Sequence, residues 1–524
     1  MTFPVFSAGT SAYNLTRSLR FRSSASAYLN RTFTTPTSAT IWTWSAWVKR
    51  GAITGTYRLF GASTTTYLTF NSSDQLNLTL NGTSAATSTA VFRDPSSWYH
   101  IVYQQNGSAQ TIYVNNVSVA TGTTAASIFN TAIAHQIGAA NTSNYFDGYL
   151  TEINFIDGQA LTPSSFGSTN ATTGVWRPAK YTGTYGTNGF YLPFTDNSAL
   201  TTASNAGLGK DFSGNANYWV TNNISITAGA TYDSMTDVPT LTSATAANFA
   251  VLNPIGGSTG TNITVTNGNL TATTPIAASS FFKIPSSISV SSGKWYFEDT
   301  VTALDTNNWE LSISGTAPLN DSSNQNGLSS GEVTYVAKNN SSVEQIFDNG
   351  SSTYTGGSGA SAGDVIGVAF DVTNLTVQFY RNNTAVSTAQ SITSAALFYI
   401  SVIVRNNTTA SIHNINFGQR PFSYTPPSGF VALNTYNLPA STVITSGTFT
   451  GNVSADGPFV YLNGVPTAMT INGNSVTFGT NVDKLSNGFK VRSASASYNA
   501  SGSNTYSILT TGAVFKNTNA QGNP

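Results

Sequence analysis

Between Trp98 and Val119 apolar and polar positions alternate with a period of two. Trp98-Tyr99-His100-Ile101-Val102-Tyr103 is followed by Thr111-Ile112-Tyr113-Val114 and by Val117-Ser118-Val119, with Asn106-Gly107 and Asn115-Asn116 between them. That period is the signature of a strand with two unlike faces, and Asn and Gly accept the positive φ of tight hairpin turns, so the stretch predicts a β-meander. The same alternation returns at Leu375–Tyr380, where Val377 and Phe379 share one face, Gln378 and Tyr380 the other, and Asn382-Asn383 supplies the turn. It returns again in Val460-Tyr461-Leu462-Asn463-Gly464-Val465, Met469-Thr470-Ile471-Asn472-Gly473 and Val476-Thr477-Phe478-Gly479. Phe489 and Val491 continue that last unit, and Tyr498 to Tyr506 predicts a closing hairpin around Gly502.

The pattern breaks between about Gly167 and Thr240, where turn residues mix with Trp176, Tyr181, Tyr185, Phe190, Tyr191, Phe194 and Trp219. A disordered tether carries few aromatics, so this connector is expected to pack along the first domain and join it to the second. The 524 residues exceed one ordinary domain. Only 8% are charged, against about 25% in a typical soluble protein. Ser, Thr, Asn and Gly stand in place of Lys and Glu, which suits strands and not helices. The expected class is all-β, as tandem β-sandwiches over residues 1–167, 241–439 and 440–524, with the connector at 168–240.

Ser96-Ser97-Trp98-Tyr99-His100 with Tyr113-Val114-Asn115-Asn116 resembles the middle of a laminin-G-like, concanavalin-A-type jelly roll. Trp44–Lys49 and Arg58–Gly61 resemble its early strands, and Ile137-Gly138 with Phe146–Ile153 its closing strand; Asn116 stands where that family usually has Gly. Gly293–Glu298 and Gly363–Asp371, continuing into Leu375–Asn383, resemble the hallmark strands of a SPRY-type sandwich. Lys210–Asn215 with Tyr232–Thr240 is similar to a connector of structural proteins from tailed phages of marine and cyanobacterial hosts.

Lys+Arg and Asp+Glu are 21 each, so no basic face advertises nucleic acid and nothing suggests membrane insertion. Zero net charge removes self-repulsion and favours a homo-oligomer. There is no cysteine, and Met1–Phe6 lacks the basic and apolar regions of a signal peptide. A protein made in a reducing cytoplasm yet surfaced for the outside fits a virion released by lysis, which is also what the phage resemblance implies.

Concanavalin-A-like hydrolases carry Glu-x-Asp-x-x-Glu on one strand, and the nearest match is Glu152-Ile153-Asn154-Phe155-Ile156-Asp157. Asn154 replaces the helper acid, and Asp157 falls five residues on, so the pair is expected to be part of a closing strand and turn, with no catalytic residue. His100, His135 and His413 lack ligand spacing, and His100 is expected to be packed between strand neighbours. The laminin-G resemblance implies Ca²⁺ as the one candidate cofactor, at Asp147 or Asp74, against an exposed turn carboxylate. The glycine runs at Gly356-Gly357-Ser358-Gly359 and Gly256-Gly257 precede no helix and no Lys-Ser/Thr, so they are loops. Trp44, Trp47, Trp98 and Trp295 are expected in sandwich cores.

The resulting expectation is a phage tail fibre or surface appendage whose loops bind host-surface glycan without catalysis, the binding residues being unassigned. An architectural protein that binds other virion proteins is the alternative, and a glycan depolymerase a third.

Overall fold

The computed structural model describes residues 13–124, 129–170, 175–198, 205–255, 264–273, 282–304, 309–315, 332–337, 343–395, 397–404, 410–439, 446–454, 459–461, 466–485 and 488–511. Met1–Phe6, Gly256-Gly257 and Asn463-Gly464 lie outside the described residues. The chain divides into two compact units: one comprises Tyr13–Phe166 and Ala179–Asn437, the other includes Gly167–Pro178 and Leu438–Pro524. The class is all-β, in antiparallel sheets arranged as tandem sandwiches.

In the larger unit an eight-stranded sheet runs in the order Val117–Thr123, Ala109–Val114, Trp98–Asn106, Ile41–Arg50, Gly148–Asp157, Ser18–Phe21, Ser234–Met235, with Phe190–Leu192 also paired to Gly148–Asp157. A seven-stranded sheet runs Val220–Asn222, Tyr28–Thr32, Ala134–Ile137, Tyr57–Ser63, Thr66–Phe70, Gln75–Leu80, Thr83–Val91. The meander is present, with Asn115 and Asn116 both at positive φ (49° and 71°), so Asn serves where Gly is usual. Its first turn differs from the expected Asn-Gly. Asn106 is still paired, to Ala109, and Gly107 at φ 62° opens a Gly107-Ser108 turn, which asks for positive φ at its first position.

Trp42, Trp44, Ala46 and Val48 point into the sandwich, where Trp42 stacks on Phe155 and Trp44 on Phe60. The connector supplies part of that core: Phe190, Leu192, Leu208 and Trp219 belong to it, and Phe190 lies parallel to Phe155 at 5.7 Å. Ser234–Met235 and Val220–Asn222 extend both sheets, so the connector is woven into the jelly roll. The other face of Ile41–Arg50 is buried too, at Thr43, Ser45, Trp47 and Lys49. Trp47 and Trp98 are therefore covered by packing outside the sandwich, and Trp47 stacks on His100.

The second sandwich pairs a nine-stranded sheet, built around Ile412–Asn416, Lys294–Ala303, Val365–Asp371 and Thr376–Arg381, with a six-stranded one running Phe282–Pro285, Tyr399–Val404, Trp309–Ser314, Glu332–Val336, Glu344–Asp348, Ser351–Gly356. Tyr335 on Phe379 and Phe370 on Phe398 join the two sheets, and Trp295 is buried. The Asn382-Asn383 turn has both residues at positive φ (48° and 66°).

Most of the chain's 21 acidic side chains are buried, and three of them, Asp147, Asp233 and Asp237, take part in the contacts that join the two sandwiches. Lys49 is fully buried and spends its three donors on Asp237 Oδ2 at 2.7 Å, Asn248 Oδ1 at 2.7 Å and the Phe249 carbonyl at 2.8 Å. Trp98 Nε1 donates to the other Asp237 oxygen at 3.1 Å. Arg20 donates to Asp233 at 3.0 Å and to the Ala230 and Tyr232 carbonyls, while Arg420 of the second sandwich donates to the same Ala230 oxygen at 2.9 Å. A third link is the turn after Thr264–Thr266, where Tyr149 Oη donates to the Gly268 carbonyl at 2.7 Å. Gly268 has φ 71°, and a Cβ there would come within 2.6 Å of the Tyr149 ring, so this approach requires glycine.

In the smaller unit Ser446–Gly451, Gly502–Thr511, Pro466–Ile471 and Asn474–Ser475 form one sheet, and Phe459–Tyr461, Gly488–Val491 and Val482–Leu485 another. Met469, Ile471, Phe489, Val491 and Tyr506 are its core. The expected hairpin around Gly502 is absent. Ala496–Asn499 is one helical turn capped by Ser495, and Gly502 opens a strand that pairs on both edges, its Asn504 anchored to Ala500.

Removing one partner of a buried ion pair strands the other charge. Lys49→Ala is expected to cost roughly 3–5 kcal/mol, read as a lower urea midpoint, and the double change Lys49→Met with Asp237→Leu to cost clearly less.

Candidate functional site

Gly148–Asp157 keeps Ile41–Arg50 on one edge but changes neighbours on the other. Ser18–Phe21 pairs with residues 148–150, and Phe190–Leu192 with Ile153–Phe155. The ladder slips between Thr151 and Asn154, so Leu150, Ile153 and Phe155 all reach the core despite their uneven spacing. Glu152 sits at this bulge with φ 54°, a conformation that costs a non-glycine residue roughly 1–3 kcal/mol. The bulge places it at the base of a cleft of about 240 Å³ lined by the Tyr13–Arg17 segment, Lys180, Tyr191, Pro193, Thr195 and Phe212.

Three short contacts close a ring there. Glu152 Oε2 lies 2.7 Å from Tyr13 Oη, Oε1 lies 2.7 Å from Tyr191 Oη, and the two hydroxyls are 2.6 Å apart. Two phenols bring two protons, so three hydrogen bonds require a third, and a protonated Glu152 supplies it. Burial pushes this carboxyl up to about 7, opposed by the two tyrosine hydrogen bonds and by Lys180. Burial and Glu152 likewise push both phenols up.

Phe212 walls the cleft and is 40% exposed. It is held by a turn in which Asp211 accepts from the Tyr191 and Ser213 amides at 2.8 Å each and from Asn217 N at 2.8 Å. The Phe212 amide donates to the Tyr191 carbonyl at 2.9 Å, and Lys210 Nζ lies 4.9 Å from the ring centroid. The Lys210–Asn215 segment, legible in the sequence only as a connector, thus builds a wall of the cleft.

Asp157 does not join Glu152. Its oxygens accept from the Thr37, Ser38 and Asn188 amides and from Asn130 Nδ2 at 2.7 Å, which makes it an anchor for loops. Asn154 accepts from Tyr185 Oη at 3.0 Å. The histidines are packed and far apart in the fold. His100 bonds Ser45 Oγ at 2.9 Å, His135 lies between two carbonyls and stacks on Phe33, and His413 bonds Asp299 at 2.7 Å while stacking on Trp309. Burial pushes His100 down to about 3 and His135 down to about 4, so both stay neutral.

The carboxylates singled out for Ca²⁺ are neither exposed nor arranged for a cation. Asp147 is buried and accepts from Gly268 N at 2.7 Å, Asn267 N at 2.9 Å and Ser23 Oγ at 2.9 Å. Asp74 accepts from Thr54 N at 2.7 Å and pairs with Arg50 at 3.0 Å and Arg93 at 2.7 Å. N–H donors occupy the lone pairs a metal would need. Among the described residues no three His, Cys, Asp or Glu side chains gather as a metal site, and no helix is long and apolar enough to cross a membrane.

The folded protein keeps the Glu152 proton up to about pH 7, whereas the unfolded chain releases it near the ordinary 4.5. The folded state therefore binds more protons across that window, and stability falls as pH rises through it, by an amount of order 3 kcal/mol. Glu152→Gln is expected to flatten this slope in urea denaturation at pH 5, 6, 7 and 8; an unchanged slope would assign it to other groups.

Comparison with curated proteins found no match. A family profile described as the concanavalin A-like lectin/glucanases superfamily matches residues 22–165, and the SPRY domain profile matches residues 294–420. Among solved structures, the SPRY domain of human HERC1 is 19% identical, over 31% of this chain and 96% of its own, with TM-score 0.25. A candidate carbohydrate-binding protein from Bacteroides ovatus is 15% identical, over 41% of this chain and 60% of its own, with TM-score 0.31. Domain 4 of an extracellular arabinanase from Geobacillus stearothermophilus, in complex with arabinotriose, is 21% identical over 24% of this chain and 65% of its own, with TM-score 0.22. The all-β chain thus carries a concanavalin-A-like domain and a SPRY domain in tandem.

Proposed function

We propose that this protein is a non-catalytic adhesion protein whose concanavalin-A-like sandwich binds glycan in the Glu152 cleft. The observation that carries this reading is the cleft itself: an exposed aromatic face, Phe212, beside hydroxyls and a carboxyl fixed by a strained bulge. Sugars stack their apolar faces on aromatic rings and exchange hydrogen bonds with such groups. Among the described residues Glu152 is the one carboxyl lining the cleft, and paired-carboxylate hydrolysis needs two, which favours binding over cleavage.

The setting we propose is a virion, as a tail fibre or surface appendage of a tailed phage, with other virion proteins and a host-surface glycan as partners and identical copies arrayed on the particle. Support comes from the absence of cysteine, from the uncharged Ser/Thr/Asn composition and from acidic side chains mostly spent inside the fold. Arrayed copies would turn weak single contacts into avidity.

A glycan array probed with the full chain tests the adhesion reading. Phe212→Ala is expected to weaken binding of any captured glycan roughly tenfold, and Tyr191→Phe several-fold, with the thermal midpoint of Phe212→Ala lowered only slightly because the residue is 40% exposed and outside the sandwich core. Capture of no glycan, with the chain instead buried among neighbours in a density map of the particle, would overturn it in favour of an architectural role.

A further inference from the structure

The charge distribution around the cleft deepens this reading and rests on it. Lysine and arginine are scarce, 21 in 524 residues, and several, including Arg20, Lys49, Arg50, Lys283 and Arg420, are buried in ion pairs or on carbonyls within the fold. Two partly or fully exposed cations nevertheless line this one cleft, Arg17 and Lys180. Among the described residues neither lies within ion-pair distance of a carboxylate, and Arg17 donates only to the Ser234 carbonyl at 3.3 Å. The acids nearby are spoken for. Asp211 accepts four hydrogen bonds in its turn, Asp196 pairs with Lys210 at 3.7 Å, and Glu152 is closed in its ring with Tyr13 and Tyr191.

We propose that the cleft takes the carboxylate-bearing unit of an acidic polysaccharide, a hexuronate, with Lys180 and Arg17 receiving its carboxylate and Phe212 backing its ring. Charge-assisted hydrogen bonds from two cations are the strong contacts available to such a ligand, and Arg offers a fork that matches a carboxylate. A neutral sugar would bring no opposite charge to either cation. The groups facing Glu152 are the Tyr13 and Tyr191 hydroxyls, the Tyr185 phenol and Lys180, and Arg17 also lines the cleft. Protonated, Glu152 leaves the cleft net positive; ionised, it sets a negative charge at the base. Hexuronate affinity is therefore expected to rise as pH falls from 8 to 6, a range in which the sugar carboxylate itself stays ionised.

The test is calorimetric titration of the full chain at low salt with oligogalacturonate, oligoguluronate and oligoglucuronate, each beside its carboxyl-reduced counterpart. At least one acid form is expected to bind roughly tenfold or more tightly than its reduced form, with Lys180→Ala removing most of that difference and Glu152→Gln removing its pH dependence. Lys180 is exposed, so its replacement leaves the fold intact. Equal affinity for acid and reduced forms, or an acid preference untouched by both Lys180→Ala and Arg17→Gln, overturns hexuronate selectivity while glycan binding stands. Binding of neither form, together with an empty glycan array, overturns both readings.

Discussion

Lys49 is an ammonium group placed where water cannot reach it, and the geometry that makes this tolerable also defines the larger unit. Each of its three protons meets an oxygen within 2.8 Å, from Asp237, Asn248 and Phe249, all in the chain that runs on from the jelly roll towards the second sandwich. A buried ion pair adds little net stability over a well-packed apolar pair, but it penalises every arrangement that leaves one partner alone. With Asp233 between Arg20 and Arg22, and Asp147 under the Asn267-Gly268 amides, it selects one docking of the two sandwiches among many similar apolar contacts.

The low charge of this protein takes on a different meaning once those side chains are placed. A chain with 8% charged residues reads as a surface of hydroxyls and amides, and so it is. Many of the few charges present are structural, and Asp74, Asp147, Asp157, Asp233 and Asp237 are each surrounded by donors. Asp157, Asp147 and Asp74 attract attention as possible catalytic or metal groups, yet all three hold loops by accepting backbone amides. Glu152 is the exception. It is buried like the others, but its partners are two phenols, and it lines an open cleft.

That cleft follows from a break in regularity. The central closing strand exchanges one edge partner for another, and the gap between Ser18–Phe21 and Phe190–Leu192 falls at the bulge. Packing of Phe155, Phe190 and Trp219 holds the Phe190–Leu192 side of the gap, next to the bulge that carries Glu152. Site and core are thus parts of one arrangement, and the connector belongs to both.

Strand periodicity, the Asn-Asn turns at 115–116 and 382–383 and the motifs of both sandwiches were legible in the chain because they depend on neighbours a few residues apart. Local signals misled at Gly502, which reads as a turn but opens a strand between two partners, since glycine tolerates both. They were silent about the site. Tyr13, Glu152, Tyr191 and Phe212 are separated by up to two hundred residues, and counting alternate faces from Glu152 to Asp157 fails at a bulge that no local rule announces. Sequence alone determined the all-β class and the two domain types, because side-chain alternation and turn chemistry are properties of short segments. Tertiary structure decided which charges are buried and where a cleft opens, because those depend on which distant strands share an edge.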